Sequence, residues 1–171
     1  MTSTSTSAQD FEAFGKAYDY DAGYLIQLSE TSEGALAAFT AAMGLSKFRE
    51  ELPLDAHFVA RIVAMQSEDC GPCAQLNLRL AVEAGVDREL LKTLLECPEE
   101  LPAELQDVRL HTRAVIEGSP ADPERYERLR ARWGDAAFSE LATCIAGCRL
   151  FPTMKRSLLS SAVCQTLSLD F

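Results

Sequence analysis

Cys70-Gly71-Pro72-Cys73-Ala74-Gln75-Leu76-Asn77-Leu78-Arg79-Leu80 places two thiols three positions apart at the opening of an apolar-periodic run. The run has helical spacing, so Cys70 falls near a helix N-terminus, where unpaired N–H groups and the helix dipole favour thiolate over thiol. Gly71 permits unusual backbone angles and Pro72 fixes one φ in a first helical turn, which lets the sulfurs approach closely enough to bridge. A thiolate so placed attacks disulfides and peroxide O–O bonds, so reversible thiol chemistry is the leading expectation. Cys73 and Asn77 are four apart and share a helix face, with Cys70 one turn earlier, so the three are expected on one pocket wall. The dipole favours Cys70 as the attacking sulfur, the face shared with Asn77 favours Cys73, and both stay open.

Beyond this stretch, nearly every segment carries the 3.6-residue period, and no run shows the alternation or the Val/Ile/Thr density of a strand. The tetrapeptide also occurs in thioredoxin, but that fold needs strands alternating with helices around it. The expected class is therefore all-α, a helical bundle of antiparallel hairpins. A first helical region spans about 21–43, interrupted at Glu30-Thr31-Ser32, and Asp55 is expected to cap a helix carrying Phe58, Ile62 and Met65 on one face. The cysteine helix ends at Gly85, and Asp87 starts a short helix to Glu96. Pro102 opens a helix closed by Gly118, Pro123 one that stops at Gly134, and Asp135 caps a long apolar helix to about Leu150, before Phe151-Pro152 turns into the last.

Residues 1–10 read as a hydroxyl-rich disordered tail and 11–171 as one domain, since 171 residues at 47% hydrophobic content suffice for a single core. A formal charge of −10, from 26 acidic and 16 basic residues, repels phosphate backbones and anionic lipid surfaces, so neither nucleic acid nor membrane is an expected partner. The N-terminus lacks the apolar core of a signal peptide, and six cysteines at this core content do not resemble a secreted disulfide scaffold. A cytoplasmic protein with one reversible pair is expected, needing no cofactor. The long apolar helix at 135–150 suggests a homo-oligomer.

A working thiol needs a base or proton relay within reach, and Glu68, Gln66 and His57 are the candidates near the pair. Each also has a plain reading: Glu68 as a solvated flank, His57 as an exposed polar residue. His111 has no nearby cysteine and is read as structural. Cys97, Cys144, Cys148 and Cys164 are read as core thiols, since free cysteine is among the most buried residue types. Cys70/Cys73 and Cys144/Cys148 would make a four-sulfur zinc site only if their helices met, and no metal is expected.

From Gln66 through the cysteine pair to Ala81-Val82-Glu83-Ala84-Gly85-Val86-Asp87, and again over the Glu140-to-Arg149 helix and Pro152, the chain resembles the alkylhydroperoxidase D-like branch of the carboxymuconolactone decarboxylase superfamily. The resemblance covers about residues 45–160. It implies an all-helical fold assembled as trimers or hexamers, and a cysteine pair that reduces a peroxide or disulfide substrate with electrons from a dithiol donor. It also implies a relay histidine four residues after the second cysteine and a glutamate twelve before the first. Here those positions hold Asn77 and Phe58, neither a base. Asn77 can still orient a water or substrate, leaving Glu68 or His57 to stand in. The rival readings are a non-catalytic or redox-responsive helical oligomer and a zinc-stabilised domain.

Overall fold

The helix punctuation in the sequence places most of the elements of the computed structural model, which describes residues 7–159 and 166–171. The described residues form nine α-helices and one 3-10 turn, with no strand among them: α1 Ala8–Tyr18, α2 Gly23–Thr31, α3 Glu33–Lys47, α4 Leu54–Ser67, α5 Gly71–Ala84, α6 Arg88–Glu96, the turn Pro98–Glu100, α7 Ala103–Glu117, α8 Pro123–Cys148 and α9 Leu150–Ser157. Ser32, Asp87 and Asp122 cap α3, α6 and α8 through side-chain oxygens that accept backbone N–H bonds. Gly85 and Gly118 end α5 and α7 in the left-handed region. Gly134, at φ 85°, breaks α8 where the sequence expects one helix to stop and another to start.

Three details differ from expectation. Ser7 and Asp10, placed in the tail, form a reciprocal capping box that starts α1 at Ala8, a helix the sequence reading did not contain. The helix after Pro53 begins at Leu54, with Asp55 in its first turn rather than at its cap. The long apolar helix ends at Cys148.

The core is organised around α4, which packs on α5, α7 and α8. Its buried residues run nearly without interruption from Ala56 to Met65, so it is enclosed on all sides instead of showing one apolar stripe. α8 also lies against α3 at Gly147, where a Cβ would overlap the Ser46 amide and the Leu45 backbone. The buried Glu140 carboxylate accepts bonds from the amides of Glu50, Glu51 and Leu52 at 2.9–3.1 Å, fastening the α3–α4 loop to α8. Burial disfavours its charged form, but these three amides outweigh that and hold its carboxyl below the usual range. Among the described residues no helix is long and apolar enough to cross a membrane.

Candidate active site

α4 ends in a turn that makes the cysteine geometry. Asp69 takes a left-handed conformation, φ 53°, and the Cys70 N–H donates to the Met65 carbonyl at 2.9 Å. Cys70 is thereby the N-cap of α5, with extended-side angles of φ −109° and ψ 78°, and Pro72 occupies the first turn. Cys70 and Cys73 are joined by a disulfide with their Cα atoms 5.3 Å apart. Both are buried, at 3% and 2% exposure, so the bridge is not open to bulk solvent.

Cys73 instead lines a cavity of about 570 Å³ walled by α1, α2, α3, α4 and α5, together with Phe151 of α9. Its walls are mostly apolar, including Phe11, Phe14, Phe58, Met65 and Leu76. Asn77 lines the same cavity, as the shared helix face predicts, and Cys70 does not. The Asn77 Nδ2 donates to the Cys73 carbonyl at 2.7 Å, and its Oδ1 has no partner among the described residues. Phe58, at the family's glutamate position, lines the cavity too.

A hydroxyl beside the sulfur comes from the turn between α1 and α2. Tyr20 Oη lies 3.9 Å from Cys73 Sγ; a bridged sulfur carries no proton, so only the hydroxyl could donate there, and in this structure it donates to Tyr24 Oη. Tyr20 and Tyr24 hydroxyls lie 3.3 Å apart. Burial pushes the Tyr20 phenol well up, and burial likewise pushes Tyr24 up to about 12, so both stay protonated donors at neutral pH. The buried Lys155 ammonium stands 4.2 Å from the Tyr20 ring centre and 5.4 Å from that of Tyr24. Burial pulls Lys155 below its ordinary value, opposed by Asp21.

The position of Tyr20 is fixed by the cysteine helix itself. Arg79 Nη1 donates to the Tyr18 carbonyl at 2.7 Å and its Nη2 lies 3.6 Å from the Asp19 carboxylate, while Tyr18 Oη donates to Glu83 at 3.0 Å. The Tyr20 N–H closes the turn on the Gly15 carbonyl, and a Cβ on Gly15 would meet the Tyr20 carbonyl at 2.8 Å.

The other sequence candidates lie elsewhere. Glu68 accepts from Arg149 Nε at 3.0 Å and Arg156 Nη2 at 2.6 Å, and its carbonyl accepts from Arg156 Nη1, so the carboxylate is neither solvated nor free. Gln66 lines a separate cavity of about 400 Å³ with Arg109, Arg113 and Glu117. His57 is buried rather than exposed, with its ring against Phe58 and its Nδ1 without a partner among the described residues. Burial, then Arg61 and Arg49, pull its pKa down to about 4, only partly opposed by Glu140. His111 packs on Phe138.

Cys144 and Cys148 are core thiols. Cys144 Sγ lies 3.9 Å from the Ser46 carbonyl. The hydrogen bond between the two thiols holds Cys148 down and Cys144 up, and nearby Arg61 further favours a Cys148 thiolate. Cys97 is half-buried at the end of α6 rather than in the core, and Cys164 lies outside the described residues. Since Cys70 and Cys73 are bridged to each other, the four-sulfur arrangement is not formed, and the described residues contain no cluster of three or more His, Cys, Asp or Glu suited to a metal.

No family model matches the chain, and no curated protein matches it. Among solved structures, the fold is similar to the crystal structure of a cysteine-to-alanine variant of the debrominase Bmp8 in complex with 2,3,4-tribromopyrrole. The TM-score is 0.72 at 12% identity, over 90% of this chain and 83% of that one. At that identity the likeness is one of fold.

Proposed function

We propose that the protein is a thiol oxidoreductase of the alkylhydroperoxidase D-like kind, in which Cys73 attacks a small substrate held in the apolar cavity and Cys70 resolves the intermediate. The observation that carries this reading is a Cys70–Cys73 bridge with one member facing a substrate-sized cavity and a tyrosine hydroxyl beside its sulfur. In the reduced protein the Cys73 thiolate gives its electron pair to the terminal oxygen of an organic hydroperoxide. The O–O bond breaks, Cys73 becomes a sulfenic acid, and the departing alkoxide takes a proton from Tyr20. The Cys70 thiolate then attacks the Cys73 sulfur, hydroxide leaves, and the disulfide forms. An external dithiol reopens it by exchange. Tyr20 thus supplies the proton that Phe58 and Asn77 cannot.

A second reading shares the same groups. The fold likeness to a debrominase and the aromatic cavity walls favour an aryl halide as substrate. The Cys73 thiolate would take the halogen as a sulfenyl halide while Tyr20 protonates the ring carbon, and Cys70 would close the disulfide and release halide.

Cytoplasmic location and a trimeric or hexameric assembly go with the first reading, and light scattering at micromolar protein tests the assembly. The deciding experiment is turnover with dithiothreitol and either cumene hydroperoxide or a bromopyrrole, beside peptide mass spectrometry of the reduced protein treated with the same substrate after dithiothreitol is removed. One of the two is expected to be consumed with accumulation of the Cys70–Cys73 bridge. If neither is consumed and both cysteines remain thiols, the non-catalytic oligomer is the better description.

A further inference from the structure

We propose that the cavity binds apolar organic anions, with the Arg61 guanidinium as the counter-ion of their acidic group. The inference deepens the reading of the cavity as a substrate site, since it specifies which molecules enter.

Arg61 lines the cavity from α4, on the face that also presents Phe58 and Met65. A guanidinium keeps its charge at any physiological pH, and a largely desolvated one is costly unless paired. Here the pairing is incomplete. Arg61 Nε is buried with no hydrogen-bond partner, and among the described residues no carboxylate lies within ion-pair distance of the side chain. Residues 1–6 and 160–165 contain no aspartate or glutamate to supply one. What Arg61 has is the face of Phe58, 5.1 Å from guanidinium carbon to ring centre, and the thiols of Cys144 and Cys148 nearby. Burial accordingly pulls Arg61 below its ordinary value.

The remaining charges in the wall point the same way. Lys47 lines the cavity as a second cation. Asp10 is the one carboxylate in the lining, and the Ser7 amide and hydroxyl both bond its Oδ2 at 2.8 Å, which holds its carboxyl below the usual range. Those bonds cap α1 and leave Asp10 ionised, so the lining carries two cations against one carboxylate. A chain of net charge −10 therefore carries an apolar cavity whose lining is net positive. An acid with a hydrocarbon or aryl body satisfies both features: the body replaces water against the walls, and the anion completes the fork of the guanidinium.

The test is isothermal titration of the oxidised protein with three probes of one shape, 4-phenylbutanoate, 4-phenylbutanol and 4-phenylbutylammonium. The carboxylate should bind at least tenfold more tightly than the alcohol, with the ammonium weakest. Arg61→Met should bring the carboxylate down to the level of the alcohol without weakening the alcohol, and Arg61→Lys should keep part of the preference. Equal affinities for carboxylate and alcohol, no binding of any probe, or a preference that survives Arg61→Met would each overturn the proposal. The wild-type series decides the matter even if Arg61→Met does not fold. Should the Cys148 thiolate be the counter-ion instead, thiolate absorbance at 240 nm will persist at pH 7 in a Cys70→Ser/Cys73→Ser protein, vanish with Cys148→Ala, and accompany loss of anion preference. Because binding needs no turnover, anion selectivity in a protein without peroxidase or dehalogenase activity sinks only the thiol reading. Turnover without anion selectivity sinks only this one.

Discussion

The chain carries two buried cysteine pairs on helices, and only one is bridged. Cys144 and Cys148 stand four apart inside α8, where helical geometry fixes their separation and their neighbours are Ser46 and Arg61. Cys70 and Cys73 stand three apart, but Cys70 is a cap with non-helical angles, so the backbone turns one sulfur onto the other. The first pair also faces a cavity through Cys73, whereas the second belongs to the packing between α3 and α8. Both pairs are shielded from solvent, so burial does not distinguish a reactive pair from a structural one. The difference is made by the helix start and by what the sulfur faces.

The strongest way to break this contrast is to remove one sulfur at a time. Cys70→Ser and Cys73→Ser should each lower turnover more than a hundredfold. The Cys70 variant should accumulate a sulfenic acid or mixed disulfide on Cys73, and the Cys73 variant should form neither, as intact mass after hydroperoxide or aryl halide treatment will read. Cys144→Ala should leave turnover within about twofold and cost on the order of 1–2 kcal/mol in urea unfolding, the usual range for a small core truncation. Equal kinetic losses in the two pairs would erase the distinction.

The pairs should also separate by what pH acts on. Around Arg61 and the α8 thiols, His57 is buried with a pKa of about 4, against an ordinary value of 6.5, and faces Arg49, Arg61 and Glu140. Above pH 6.5 neither folded nor unfolded chain protonates it. Between about 6.5 and 4 the unfolded chain takes up the proton first, so stability falls as pH is lowered, by on the order of 2–3 kcal/mol at pH 4. Subtracting the stability profile of His57→Gln from that of the wild type should isolate this slope and cancel the carboxylate contributions. A flat difference curve would mean that His57 is solvated in the folded state.

What was legible in the sequence follows the same division. Ser32, Gly85, Asp87, Gly118 and Gly134 act on their own turn of chain, so the helix boundaries could be read without knowing what packs where. The cysteine motif is equally local. Tyr20 was not legible, because it reaches Cys73 from 53 positions away through a turn fastened by Arg79 and Glu83. Lys155 and Arg61 look like ordinary surface cations, but α9 buries Lys155 and α4 turns the half-buried Arg61 into the cavity wall. Glu68 and His57 lie near the pair in sequence, but helix geometry sends one toward α8 and α9 and the other toward Glu140. The serine that caps α1 was hidden in a run of serines and threonines that composition alone marks as tail.

A smaller effect sharpens the role of Tyr20. With the bridge reduced, its hydroxyl should donate to the Cys73 thiolate and stabilise it. The charged and titratable groups around that sulfur are Tyr24, Asp21 and Lys155 on one side and Arg61, Lys47 and Asp10 in the cavity wall. Tyr20→Phe should raise the Cys73 pKa, read by absorbance at 240 nm, and slow turnover about tenfold at pH 7. The deficit should shrink as pH rises and the thiol ionises unaided. Gly15→Ala, which presses on the Tyr20 carbonyl, should give a milder version of the same shift. A constant deficit at every pH would assign Tyr20 to packing alone.

The smallest expected effect is at Glu68, the carboxylate nearest to the pair in sequence. It is nearly buried, yet both its oxygens are taken by arginines that are themselves half exposed, Arg149 at the start of α9 and Arg156 near its end. Both oxygens are therefore occupied as acceptors, and water competes for both partners. Its work is mechanical: it ties the turn before Cys70 to α9, the helix that carries Lys155 beneath Tyr20. Glu68→Gln keeps hydrogen-bonding capacity and loses only charge, so it should cost about 0.5–1 kcal/mol of stability and change turnover by less than threefold, with the pH profile unmoved. A loss that grows toward low pH, where a carboxylate base would be protonated, would put the proton relay on Glu68 and take it away from Tyr20.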